Sequence, residues 1–226
     1  MSTTAIGHPP AGTVYTPAGT VYGTLLNFRR ERDQWAAQMT TAPYKAPPQA
    51  PVLYVKTANT FSASGQAVGV PPHVAQVEIG ASLGLVMGPG GKPCAYVLLN
   101  DFSVPHASFF RPPVKFKCLD GFLGVGPQAV EVALLGDPVL VQLEVRINAA
   151  LVQTVDFAGL VRNAASLLAD VTDFMALAEG DVLMLGCDSL LGGGRPLAKV
   201  GDQVVVSSPS HPALGVLMNT MIAQTA

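Results

Sequence analysis

The chain has 226 residues, with 13 Lys and Arg against 15 Asp and Glu and a formal net charge of −2. That length favours one domain, since chains tend to divide beyond about 250 residues, and charged residues at 12% exclude the basic footprint of a nucleic-acid binder. With 49% apolar residues the chain also has ample material for a core, which excludes intrinsic disorder. Mean hydropathy is +0.38, yet no apolar run approaches the roughly 18–20 residues of a membrane helix; large apolar interfaces between subunits are the expected explanation. No secretory signal is legible in Met1–Pro10, and Cys94, Cys118 and Cys187 are odd in number with no C-x-x-C spacing. Neither a disulfide framework nor a zinc site is indicated, and a reducing cytoplasm is the expected compartment.

In chain order, residues 1–22 are rich in Gly, Pro and Thr and repeat the pentapeptide Ala-Gly-Thr-Val-Tyr at 11–15 and 18–22. Residues 1–18 are expected to form a flexible tail, and the second copy to open a strand of a single domain over 19–226. Asn27–Thr40 reads as a short helix, with Phe28, Trp35 and Met39 apolar among charged neighbours. The four prolines of Ala42–Pro51 predict a loop. Period-two patterning or short apolar runs then predict strands at Val52–Lys56, Ala75–Ile79, Leu83–Met87 and Tyr96–Leu99, and most clearly, by alternation, at Val139–Asn148. One long helix is expected to follow Asp156 as its cap, with Leu160, Ala164, Leu167, Leu168, Val171 and Met175 on its apolar face. Gly180-Asp181 and Gly201-Asp202 read as turns that launch Val182–Leu185 and Gln203–Val206. Without helices between the central strands, the pattern predicts a β-rich α+β fold rather than a doubly wound nucleotide fold.

Glycine clusters at Gly121–Gly126 and Gly192–Gly194 lack the strand-to-helix context of a phosphate loop and read as turns. No serine lies in a nucleophile elbow, and His8, His73, His106 and His211 have no evident triad partner. The chemistry-bearing stretch is Asn100–Pro127, which gathers Asp101, Arg111, Lys115, Lys117 and Asp120 among apolar residues. Read as a strand, it places Lys115 and Lys117 on one face, toward an anion or a carbonyl oxygen; read otherwise, it is an edge strand guarded by lysines.

Three motifs, Asn100-Asp101-x-Ser103, Phe109-x-Arg111-Pro112 and Lys115-x-Lys117-Cys118-x-Asp120-Gly121-Phe122, make the chain resemble the fumarylacetoacetate hydrolase superfamily. Pro43–Pro48, Val55-Lys56, Asn59-Thr60 and the late Gly-Asp turns extend the likeness over about residues 19–222. Within the superfamily it resembles most the N-terminal half, or first subunit, of the isomerase/decarboxylases of 4-hydroxyphenylacetate (homoprotocatechuate) catabolism. The resemblance implies a mixed β-sandwich roll with one long late helix, and a small-molecule 2-oxo-acid substrate with two or three carboxylates. It also implies Mg²⁺ or Mn²⁺ held by a Glu-x-Glu pair and the Asp of the Asn-Asp motif, and a homodimer or hetero-oligomer with a related subunit. Carried over by position, Lys117, Lys115 and Asp120 become catalytic candidates, Arg111, Lys56 and Ser103 substrate-binding candidates, and Asp101 the metal ligand.

The departures are as informative. Gly80 and Ser82 stand at the Glu-x-Glu positions, where a hard dication would want anionic oxygens; Glu78, on the same strand face, is the candidate replacement ligand. The family's His-x-x-Glu pair is absent, and Asn27-Phe-Arg-Arg-Glu31 stands in its place. These losses imply a subunit with a degraded metal site of its own, serving an oligomer whose catalytic metal belongs to another chain. The rival expectations are a self-sufficient decarboxylase, isomerase or hydrolase with an altered metal site, and a non-catalytic carboxylate-binding module.

Overall fold

The computed structural model describes residues 14–224 apart from Phe109. In chain order its strands are β1 (Val21–Leu25), β2 (Val52–Lys56), β3 (Phe61–Ala63), β4 (Ala67–Val70), β5 (Val77–Glu78), β6 (Ala81–Met87), β7 (Pro93–Asp101), β8 (Leu123–Glu131), β9 (Gln142–Ile147), β10 (Ala150–Asp156), β11 (Val182–Met184), β12 (Leu197–Ala198), β13 (Gln203–Ser207) and β14 (Val216–Ala223). Four short helices accompany them: α1 (Arg29–Trp35), α2 (Val114–Lys117), α3 (Val132–Leu135) and α4 (Ala164–Thr172).

A seven-stranded mixed sheet runs β2-β1-β11-β6-β7-β8-β3, and a five-stranded sheet runs β10-β9-β13-β14-β4. Strand β14 touches β7 and β8, so the two sheets meet there. The core between them includes Val68, Leu83, Leu85, Leu98, Phe102, Leu143, Val145, Phe157, Val204 and Val206, all buried. This is the β-rich α+β architecture that the strand patterning predicts. The strand expected from Val139 opens as a 3₁₀ turn at Pro138–Leu140, but across Val141 and β9 the alternation holds: Val141, Leu143 and Val145 are buried, and the intervening Gln142 and Glu144 lie nearer solvent.

Several expectations change in detail. The helix expected over Asn27–Thr40 is two pieces, α1 and a 3₁₀ turn at Gln38–Thr40. The long late helix is also broken. Asp156 does cap, but its carboxylate accepts from Ala158 N–H of a 3₁₀ turn at Phe157–Gly159. The chain then extends, and Asn163, through Ser166 N–H, caps the nine-residue α4. Leu160 packs into the core from the extended connection instead of from a helix face. The Gly121–Gly126 cluster is not simply a turn, since Gly124 and Gly126 lie within β8. The two Gly-Asp turns behave as expected: Gly180 and Gly201 take positive φ, and the Asp181 carboxylate accepts from Thr20 and Ala178 N–H. Of the repeated pentapeptide, the second copy enters β1. Tyr15 of the first donates its N–H to Pro127 carbonyl, so the tail is already tied to the body there; residues 1–13 lie outside the described part.

Candidate active site

The site gathers at the open end of β6 and β7. Asp101 closes β7 and is fully buried, with three cations around it. Lys117 Nζ lies 2.5 Å from Asp101 Oδ2 and Lys56 Nζ 2.9 Å from Oδ1. Arg195 Nη1 lies 3.8 Å from Oδ2, and the Tyr54 hydroxyl donates to Oδ2 at 2.6 Å. Burial alone would push the Asp101 carboxyl up. The ammonium groups of Lys117 and Lys56 and the Arg195 guanidinium more than reverse this and hold it well below the usual carboxylate range.

Each partner arrives by a local device. Tyr54, on β2, lies flat across Gly23 of β1, where an added Cβ would come within 2.1 Å of the ring. Only glycine leaves the phenol room to reach Asp101, and the same ring faces Lys117 Nζ at 5.0 Å from its centroid. Lys56 also donates to the carbonyls of Phe122 (2.7 Å) and Lys117. Burial pulls its ammonium down from the ordinary lysine value, and Asp101 opposes that. Arg195 follows the Gly192–Gly194 turn, in which Gly193 and Gly194 take positive φ, and Pro196 carbonyl accepts from Ile79 N–H. The turn thereby brings Arg195 back over the sheet, where Nη2 donates to Glu31 Oε1 at 3.0 Å.

Beside this cluster opens a cavity of about 300 Å³, lined among others by Glu31, Gln34, Glu78, His106, Lys117 and Arg195. Lys117 and Arg195 on the cavity wall present ammonium and guanidinium N–H groups, balanced in charge by the carboxylates of Glu31 and Glu78 there and of Asp101 behind. That suits an anionic ligand with a polarisable carbonyl.

A hard dication is a different matter. Gly80 supplies no side chain, and a Cβ there would lie 2.7 Å from Asp101 carbonyl oxygen and 2.9 Å from Cys187 Sγ. The Ser82 hydroxyl is buried and donates to Gly186 carbonyl at 2.7 Å. Among the described residues no group of three His, Cys, Asp or Glu converges as a metal cage. A Mg²⁺ or Mn²⁺ ion would have to displace two ammonium groups from Asp101, so this donor set does not fit it.

The candidates read from the sequence therefore separate. Asp101, Lys56 and Lys117 come together, though Lys56 lies behind Asp101 rather than on the cavity wall. Glu78 lines the cavity but is not gathered with Asp101 into a metal-ligand group. Lys115 does not share a face with Lys117. Pro112 and Pro113 precede a single helical turn, α2, instead of a strand, so Lys115 is exposed over the Phe116 ring at 5.0 Å. Asp120 accepts from Asn59 at the surface, Ser103 Oγ donates to Val104 carbonyl, and Arg111 is exposed; none of the three lines the cavity. Arg195, Glu31 and Tyr54 were not singled out as site residues. The one sequence signal for Arg195 is a glycine triplet delivering an arginine.

The model of the fumarylacetoacetate (FAA) hydrolase C-terminal domain matches residues 20–222. The 4-hydroxyphenylacetate degradation bifunctional isomerase/decarboxylase of Escherichia coli is 32% identical over 206 residues, 87% of this chain but 46% of that protein. The chain thus spans about half the length of this relative. In fold it is similar to the 5-carboxymethyl-2-hydroxymuconate delta-isomerase of Mycobacterium smegmatis (TM-score 0.74, 20% identity, covering 95% of this chain and 82% of that one). It is similar likewise to the 2-hydroxyhepta-2,4-diene-1,7-dioate isomerase of Mycobacterium marinum (TM-score 0.70, 19% identity, 95% and 78%). With a family match over nine-tenths of its length and a relative 32% identical over 87% of it, this chain belongs to the fumarylacetoacetate hydrolase family.

Proposed function

We propose that this chain is a subunit of an isomerase/decarboxylase acting on 2-oxo-dicarboxylates or tricarboxylates from aromatic ring cleavage, as in 4-hydroxyphenylacetate catabolism, and that its own metal site is degraded. The named activity of the half-matched relative supports the reaction class. The observation that carries the reading is the cation cluster: Lys117 and Arg195 border the cavity, with Asp101 and Lys56 buried behind them. A 2-oxo-acid placed there meets an ammonium and a guanidinium at its carboxylate and carbonyl oxygens. Negative charge that builds on the carbonyl oxygen during enolisation or loss of CO₂ is stabilised by those groups. Asp101 holds Lys117 in place, and Tyr54 fixes the carboxylate that does the holding. No step needs an ion that the donor set does not suit. Apolar residues exposed on the single chain, among them Leu134, Leu140 and Leu191, support assembly with a second copy or a related subunit.

The test is turnover of a 2-oxo-alkenedioate by the purified chain, in EDTA and with added Mn²⁺. Turnover indifferent to both is the expected result. Turnover that requires Mn²⁺ and disappears in Asp101→Ala overturns the degraded-site reading. Ligand-induced thermal stabilisation with no turnover, alone or with a related metal-binding subunit added, would favour a carboxylate-binding module, which the same cation cluster also suits.

A further inference from the structure

Glu78 lies on β5 between Val77 and Ile79, both fully buried, so strand alternation turns its side chain the other way, onto the cavity wall. Its backbone is held on both edges. Glu78 N–H donates to Ser103 carbonyl at 2.8 Å, and Ser103 N–H donates back at 3.2 Å. On the other edge Leu197 of β12 stands opposite Glu78, and Ile79 N–H donates to Pro196 carbonyl at 2.9 Å. The strand pair that fixes Glu78 is thus the one that carries Arg195 into the site. The carboxylates of the site differ in one respect. Asp101 is taken by Lys56, Lys117 and Tyr54, and Glu31 by Leu26 N–H and Arg195. Among the described residues, the half-buried Glu78 carboxylate has no hydrogen-bond or ion-pair partner.

We infer that Glu78 is a specificity-determining residue whose carboxylate accepts a hydrogen bond from a hydroxyl on the substrate's carbon chain, so that the site takes 2-oxo-dicarboxylates hydroxylated at C4. The inference rests on the proposed function and deepens it by naming the substrate class. Lys117 and Arg195 meet the 2-oxo-acid end of the ligand, which leaves Glu78 to face the rest of the chain. C4 is the first carbon clear of the C2–C3 bond that enolisation uses. A ligand that fills the cavity strips solvent from Glu78. A hydroxyl donor replaces that solvent and moderates the repulsion between Glu78 and the ligand's own carboxylates. A plain methylene leaves the carboxylate desolvated and unpaired. A site built round such an acceptor therefore rejects the analogue that lacks the donor.

The experiment is calorimetric titration of the full chain in EDTA with three probes. They are 2-oxoglutarate, 4-hydroxy-2-oxoglutarate in each enantiomer, and 4-fluoro-2-oxoglutarate, whose fluorine is close in size to a hydroxyl but donates no hydrogen bond. The wild type is expected to bind one 4-hydroxy enantiomer about 10-fold or more tighter than 2-oxoglutarate, and the fluoro probe no tighter than 2-oxoglutarate. In Glu78→Ala the preference for the hydroxyl should vanish, while 2-oxoglutarate affinity is kept or raised because a negative charge has left the cavity wall. Equal binding of the hydroxylated and plain probes by the wild type, or a preference that survives in Glu78→Ala, overturns the inference and leaves the 2-oxo-acid reading standing. A wild type that binds none of the probes overturns both. If Glu78→Ala does not fold, the fluoro probe decides. Bound as tightly as the hydroxylated probe, it overturns the inference; bound as weakly as 2-oxoglutarate, it supports it.

Discussion

Asp101 and Glu31 are both buried carboxylates, and their surroundings push them in opposite directions. Asp101 is depressed, so its ionised form stabilises the fold. That contribution is present above about pH 4, the unfolded value, and is lost as pH falls toward the lower folded value. Glu31 is raised, so its ionised form opposes the fold as pH climbs above about 4.3. Denaturant unfolding at neutral pH should separate the two. Asp101→Asn strands two buried ammonium groups and is expected to cost about 3–5 kcal/mol. Glu31→Gln keeps an acceptor for Leu26 N–H but leaves buried Arg195 only Asp101, at 3.8 Å, and is expected to cost about 1–3 kcal/mol. Equal costs would contradict the assigned roles. Asp101 and Lys117 were legible through the resemblance of Asn100–Phe122 to the family's motifs, while the charge pattern alone left an edge strand as the equal alternative. Glu31 appeared only as the end of the stretch that replaces the family's His-x-x-Glu, and its pairing with Arg195 was not legible, because 164 positions separate the two and no local pattern announces a contact of that range.

At the scale of elements, the strands were read more reliably than the helices. Val52–Lys56 matches β2 residue for residue, because a short run of β-branched and aromatic residues between prolines and a turn is a local signal. The late helix broke because the apolar spacing from Leu160 to Met175 runs over an extended link and a short helix, with Asp156 capping a separate 3₁₀ turn before Leu160 and Asn163 capping α4. Pro112-Pro113 likewise turned an expected strand into α2 and sent Lys115 outward. Affinity measurements should show this split: Lys115→Ala leaves stability within about 0.5 kcal/mol and 2-oxo-acid affinity unchanged, whereas Lys117→Ala abolishes that affinity. Equal losses would restore the one-face reading. The β6–β7 junction gives a second check. Gly80→Glu should cost about 1–3 kcal/mol, since its Cβ meets Asp101 carbonyl and Cys187 Sγ, and should gain no Mn²⁺ affinity. A variant as stable as wild type that binds Mn²⁺ would show that the junction can open.

For the whole molecule, the modest net charge and high mean hydropathy leave large apolar side chains exposed, with Leu191 89%, Leu140 73% and Leu134 72% accessible. Association with a second copy or a related subunit would cover such surface. Light scattering at micromolar concentration should therefore return at least twice the 23.4 kDa chain mass; a monomer would remove the subunit reading. The architecture as a whole delivers one charge arrangement to one cavity: cations supplied by β2, α2 and the turn before β12, around a carboxylate at the end of β7. Whether those cations stand where relatives would place a dication is open to direct measurement by titrating Mn²⁺ into the metal-free chain, with binding followed by electron paramagnetic resonance. The account predicts no site that saturates at micromolar Mn²⁺. A stoichiometric micromolar site that Asp101→Asn abolishes would contradict it.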